Sequence, residues 1–184
     1  MTEMGEGCMD NGMPTKLEIE RRFLIERPDV DLLVSRYGAE VCEIEQTYLT
    51  APLGYSSERV RRTVGRTGTV YTHTRKRRIA EAAAVEEEET LDGDGYLSLL
   101  CRADPARSVL RKCRVTFHIG TQCYEIDLYP FFTRTAVLET ELGSADDALT
   151  FPPELVILRE ITGIPSLSNH ALARRIPSED SLRE

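Results

Sequence analysis

The stretch Lys16-Leu-Glu-Ile-Glu-Arg-Arg-Phe-Leu-Ile25 alternates with a period of two. Leu17, Ile19, Phe23 and Ile25 share one face of an extended strand, with Arg21 the exception in that phase. Glu18, Glu20 and Arg22 share the other, because side chains two apart on a strand point the same way. Two carboxylates at i, i+2 sit roughly 7 Å apart at Cα, close enough for both to reach one hard divalent cation. Taken alone, the stretch is an ordinary half-buried strand with its charges in water. The same arrangement recurs along the chain, however, with the charge signs sorted by strand.

Outward from this strand, residues 28–37 carry the signals of a short helix closed by Gly38. Residues 41–50 read as a strand. Residues 57–65 and 69–78 form a hairpin around Arg66-Thr-Gly68. Residues 82–91 complete the tract as a strand, although Glu86-Glu-Glu-Glu89 in isolation resembles a solvated helix or acidic loop. Residues 96–102 read as a helix. A second hairpin, 108–119 with 122–130, turns at Gly120-Thr121. Residues 135–142 form another strand, 144–149 a serine-capped helical turn, and 169–176 a closing helix. The expected fold is mostly β with flanking helices (α+β): an eight-stranded antiparallel closed β-barrel. The expected organisation is a disordered leader over 1–15, one domain over 16–176 and a tail over 177–184.

The charges of these strands come as i, i+2 pairs set against an apolar phase. Arg59 and Arg61 oppose Val60 and Val64, and Lys112 and Arg114 oppose Cys113, Val115 and Phe117. Lys76 shares its face with Thr72 and Thr74. Glu125 and Asp127 oppose Tyr124, Ile126 and Leu128, while Glu139 and Glu141 oppose Leu138 and Leu142. If the apolar phase packs outward against helices, the lumen is charged, and such a lumen must be wet and hold ligands. Six basic side chains (Arg22, Arg59, Arg61, Lys76, Lys112, Arg114) suit the oxygens of a polyphosphate. Five carboxylates (Glu18, Glu20, Asp127, Glu139, Glu141) suit Mg²⁺ or Mn²⁺.

Composition narrows the partners. At 184 residues and 41% hydrophobic, the chain is long enough for one domain with a real core. A net charge of −8 argues against general nucleic-acid binding. Eight of the 23 Lys and Arg nevertheless fall between Arg59 and Arg78, which points to a specific small anion. No run is apolar enough for a membrane span, the start has no export signal, and five cysteines without a Cys-x-x-Cys suggest reduced thiols; a cytoplasmic location is expected. His73, His118 and His170 lack metal-ligand spacing, and no P-loop motif is present.

Glu18-Ile-Glu-Arg-Arg22 resembles the Glu-x-Glu-x-Lys signature of the CYTH domains, the triphosphate tunnel metalloenzymes. The resemblance continues in order through Gln46-Thr-Tyr-Leu49, Arg59-Val-Arg61, Thr74-Arg-Lys76, Glu86-Glu-Glu88, Lys112-Cys-Arg114, Asp127, Glu139-Thr-Glu141 and Glu160-Ile-Thr162. It implies a tunnel that binds a divalent metal at an acidic end and a triphosphate along a basic side. Glu18, Glu20, Asp127, Glu139 and Glu141 would be the metal set. Arg22, Arg59, Arg61, Lys76, Lys112 and Arg114 would be the phosphate set. Glu18, Glu20, Arg22 and Glu88 would be the catalytic set. The implied activity is metal-dependent hydrolysis of a triphosphate, inorganic tripolyphosphate first. The alternatives are a class IV-type adenylate cyclase and a non-catalytic polyphosphate-binding module. The chain has no tryptophan, which favours a ligand without a ring; Tyr48, Tyr71, Phe131 and Phe132 remain as candidates to stack on a base. One departure stands out: the signature lysine is Arg22, which keeps its charge but does not readily lose a proton.

Overall fold

The computed structural model describes residues 15–79, 83–143 and 149–183, with backbone alone at 15–18 and 83. The expected leader, apart from residue 15, and most of the turn expected at 144–149 lie outside these residues. The organising strand is β1 (Thr15–Glu26). It is followed by α1 (Val30–Tyr37), β2 (Glu40–Leu49), β3 (Ser57–Gly65), β4 (Gly68–Arg78), β5 (Ala83–Leu91) and α2 (Gly93–Leu100). Then come β6 (Leu110–Ile119), β7 (Gln122–Leu128), β8 (Thr135–Glu141), β9 (Ile157–Glu160), a 3₁₀ turn (Pro165–Leu167), α3 (Asn169–Leu172) and α4 (Glu179–Arg183).

The architecture is an antiparallel sheet with few helices. Its order is β5-β4-β3-β2-β6-β7-β8-β1-β9, with a further pairing of β5 to β1. β1 divides its partners along its length. Residues 15–19 pair with β5, residues 20–26 with β8, and β9 pairs with Phe23, Leu24 and Ile25. Nine strands stand among the described residues where eight were expected. The extra one, β9, spans four residues, too short for its alternation to show. Three helical expectations also shift. α2 begins at Gly93 because the Asp92 carboxylate caps the Gly95 N–H at 2.7 Å. The helix expected over 169–176 ends at Leu172. The expected tail contains α4.

The apolar phase does pack outward. Phe23, Ile25, Val115, Phe117, Tyr124, Ile126 and Leu138 are buried in one cluster with Leu33 of α1. α1 sits there because Asp29 caps the Leu32 N–H at 3.1 Å and Gly38, at φ 64°, ends the helix. The opposite face changes character along the strands. Leu24, Tyr48, Leu110, Tyr129 and Val137 form a second apolar cluster with Ile161, Leu167 and Leu172. Leu24 and Val137 continue the faces of Arg22 and Glu139, so the charged interior gives way to an apolar floor.

α4 is held to this floor by Leu182 and by an anchor at Glu179. The Glu179 carboxylate accepts from the N–H groups of Thr133 (3.0 Å), Arg134 (2.7 Å) and Thr135 (2.8 Å), and from both threonine hydroxyls. Burial would raise its carboxyl, but these donors outweigh it and hold it at about 2, against an ordinary 4.5. The folded value lies below the unfolded one, so the contribution is complete above about pH 4.5 and is lost as pH falls toward 2. Glu179→Gln is expected to cost about 1–3 kcal/mol at neutral pH and progressively less toward pH 2. Urea titrations at several pH values test this; a penalty independent of pH would show that the anchor acts through packing.

Candidate active site

A cavity of about 560 Å³ is bounded by sheet residues and by residues 162–164 and 168–170. Its basic wall carries Arg59 and Arg61 from β3, Lys76 from β4 and Arg114 from β6. Its acidic wall carries Glu20 from β1, Glu125 from β7, and Glu139 and Glu141 from β8. Alternation produces this sorting: each strand commits every second side chain to the interior, and neighbouring strands keep those residues in register.

On the basic wall, Lys76 Nζ lies 3.0 Å from Glu86, and Arg59 lies 3.8 Å from the same carboxylate. Glu88 accepts from the Thr74 hydroxyl at 2.7 Å. Arg61 differs in making no ion pair among the described residues; its buried Nε, like that of Arg59, has no hydrogen-bond partner there. Burial, then the positive charges of Arg59 and Arg114, pull its guanidinium down to about 10. Glu88 and Asp127 offset this only in part, so the charge stands among cations with no carboxylate in ion-pair contact among the described residues.

The acidic wall places like charges opposite each other. Glu20 is the cross-strand partner of Glu141, and Glu125 of Glu139. Such pairs are unfavourable without a compensating cation. For Glu125 and Glu139 the cation is Arg114, whose Nη2 lies 2.6 Å from Glu139 and whose Nη1 pairs with Glu125. Arg22 donates from Nε to the other Glu139 oxygen at 2.9 Å and lies 3.8 Å from Glu20. Burial would raise the Glu139 carboxyl, but Arg22, Lys112 and Arg114 hold it far below the carboxylate range.

Two expected site residues lie apart from the cavity lining. Lys112 and Asp127 are 0% exposed and ion-paired to each other, and Arg114 grips Asp127 at 2.7 and 2.8 Å. Both Asp127 oxygens are thus engaged by cations, and Lys112 reaches that carboxylate instead of lining the cavity. Burial and Arg114 lower the Lys112 ammonium to about 8. Burial would raise Asp127, but Lys112 and Arg114 keep it ionised. The side chain of Glu18 lies outside the described groups; its backbone pairs with Ala84 of β5.

The hard oxygens of Glu20, Glu125, Glu139 and Glu141 fit Mg²⁺ or Mn²⁺ in chemistry. Among the described residues no three Asp, Glu, His or Cys side chains already converge as a metal-holding group. Glu20 and Glu141 are the best-placed pair, since Glu139 is shared between two arginines.

Some lining residues were missed. Glu125 was readable two positions before Asp127, in the same phase. Asn169 and His170 carry no such signal: they reach the cavity through a segment without alternation. Of the four aromatic candidates, Tyr48 lines the cavity, meeting His170 edge-on at 4.9 Å. Tyr71 packs on Tyr96 beside α2, while Phe131 and Phe132 belong to the floor cluster. His73 is a satisfied core residue between Glu58 (2.8 Å) and Glu89 (2.9 Å). Cys42, Cys101, Cys113 and Cys123 are free thiols. No helix among the described residues is long and apolar enough to cross a membrane.

An antiparallel sheet thus gathers a basic and an acidic wall around one cavity. The chain has the CYTH, or triphosphate tunnel metalloenzyme, fold. The inorganic triphosphatase NE1496 is 27% identical, with 88% of this chain and 100% of that chain covered at a TM-score of 0.55. Protein PH1819 from Pyrococcus horikoshii OT3 shares the fold at 18% identity, covering 70% of this chain and 80% of its own, with a TM-score of 0.54. No family model matches the sequence, and no curated protein matches it.

Proposed function

We propose that the chain is a divalent-metal-dependent triphosphatase acting on inorganic tripolyphosphate, its sheet wrapped into a closed tunnel around the cavity. The observation that carries this reading is Arg61, a cation without an ion-pair partner among the described residues, facing an acidic wall across one cavity. The likeness to the triphosphatase NE1496 supports it. Arg59, Arg61, Lys76 and Arg114 would bind the phosphate chain and neutralise charge on the leaving end. Glu88, oriented by Thr74, would take the proton of the attacking water as the terminal P–O bridge breaks. Glu20 and Glu141, with Glu18 two residues before Glu20 in sequence, would hold Mg²⁺ or Mn²⁺. When bound, that ion supplies Lewis-acid neutralisation of phosphate oxygens. The rings lining the cavity are Tyr48, which is buried, and His170, and they pack edge-on against each other; this favours a ligand without a base.

The test is phosphate release from tripolyphosphate, ATP, thiamine triphosphate and pyrophosphate, each with Mg²⁺, Mn²⁺ or chelator. Metal-dependent release, fastest from tripolyphosphate, is expected. Cyclic AMP from ATP would identify a cyclase, and tight tripolyphosphate binding without release would identify a binding module. Glu20→Gln is expected to lower metal-dependent turnover by about tenfold or more, at least 1.4 kcal/mol in barrier. It should leave the melting temperature little changed, since relief of the Glu20–Glu141 opposition is set against loss of the 3.8 Å contact with Arg22. Unchanged turnover would remove Glu20 from the metal set.

A further inference from the structure

We infer that Arg22 is a positioning residue, a strut that ties the segment covering the cavity to the acidic wall. Its side chain is 9% exposed, and two guanidinium nitrogens are committed in different directions. Nε donates to Glu139 at 2.9 Å, and Nη2 donates to the Leu167 carbonyl at 3.1 Å. That carbonyl ends the 3₁₀ turn Pro165–Leu167, and the Leu167 side chain is buried in the floor cluster. The backbone of Arg22 completes the seam. Its N–H donates to the Thr162 hydroxyl at 3.0 Å, and its carbonyl accepts from the Ile161 N–H at 2.8 Å.

The segment so held is part of the site. Thr162, Gly163, Ile164, Ser168, Asn169 and His170 all line the cavity. Glu139 is held from both sides, with Arg22 on Oε1 and Arg114 Nη2 on Oε2 at 2.6 Å. Arg22 therefore links a wall carboxylate to the covering segment through one rigid, planar group. A lysine donates from one atom at the end of a flexible stem. It can keep the charge beside Glu139, but it cannot repeat two bonds launched from different corners of a guanidinium unless Glu139 or the segment moves. This gives arginine at position 22 a purpose separate from phosphate binding and from proton transfer.

The kinetic half of the inference rests on the triphosphatase reading; the structural half does not. Arg22→Lys is compared with the parent by amide hydrogen exchange without ligand, and by KM and kcat for tripolyphosphate. Exchange at residues 161–168 is expected to accelerate roughly tenfold or more, with β6, β7 and β8 unchanged. KM should rise by about tenfold while kcat stays within about threefold, because the segment shapes the site without touching the reacting bond. In Arg22→Ala, millimolar guanidinium should restore KM where methylammonium does not. Unchanged exchange in Arg22→Lys would overturn the strut, and so would a fall in kcat at constant KM or a rise in turnover with a new basic limb in the pH profile. If the parent releases no phosphate from any substrate, the triphosphatase reading fails, and the exchange measurement alone decides the strut.

Discussion

Arg61→Ala is expected to weaken tripolyphosphate binding by about thirtyfold or more while leaving the melting temperature unchanged or raised. The opposite signs follow from where the side chain sits. Without ligand, Arg61 stands with Arg59 and Arg114 as neighbours and no ion pair among the described residues. Its charge is therefore a cost to the folded chain, as its lowered pKa of about 10 expresses. When a polyanion arrives, the same charge gains a partner in a partly dry site. Truncating one member of such a pair costs about 2–5 kcal/mol, at least thirtyfold in Kd. Calorimetric titration beside a thermal melt tests both halves. Parent-like affinity would mean that the guanidinium faces bulk water; a large drop in melting temperature would mean that it braces the sheet.

Arg61 also shows how much of the site alternation made legible. The i, i+2 pairs on β3, β6, β7 and β8 identify which side chains share the interior, and the structure keeps those faces. One pairing was within reach of the sequence. With Ile119 opposite Gln122 at the second hairpin turn, counting back along both strands puts Arg114 opposite Asp127. What alternation does not encode is the contact of strands distant in sequence. The Glu20–Glu141 and Arg22–Glu139 oppositions depend on β1 lying against β8. The hidden position of Lys112 depends on how closely the floor cluster rises beneath it, a matter of side-chain volume and not of period. The covering segment, 161–170, is held by ties to single residues remote in sequence: Arg22 to Leu167, Tyr129 to Asn169 at 2.5 Å, Arg107 to the His170 carbonyl at 2.5 Å. Such ties leave no periodic trace.

Asp127→Asn is expected to destabilise the fold by about 3–5 kcal/mol at neutral pH, a larger effect on folding than any cavity-wall change. The carboxylate is 0% exposed and receives Lys112 and Arg114 together. An amide of the same shape still accepts hydrogen bonds but carries no charge, so the Lys112 ammonium is left buried beside Arg114. Lys112 has an escape that an arginine lacks. Its pKa is already lowered to about 8 from 10.5, and removing Asp127 lowers it further. Between the folded and unfolded values, the unfolded chain binds the proton and the folded chain does not, so stability rises with pH across that window. Asp127→Asn should therefore recover part of its loss as pH rises toward 10. Lys112→Met in the Asp127→Asn background should recover more, because Arg114 keeps Glu125 and Glu139 as partners. Urea denaturation of both single variants and the pair, at pH 7 and pH 9.5, tests this as a double-mutant cycle. If Asp127→Asn instead melts like the parent and loses its response to Mg²⁺ or Mn²⁺, the carboxylate is a metal ligand, as the motif resemblance implied, and the ion pairs around it hold its place until the metal arrives.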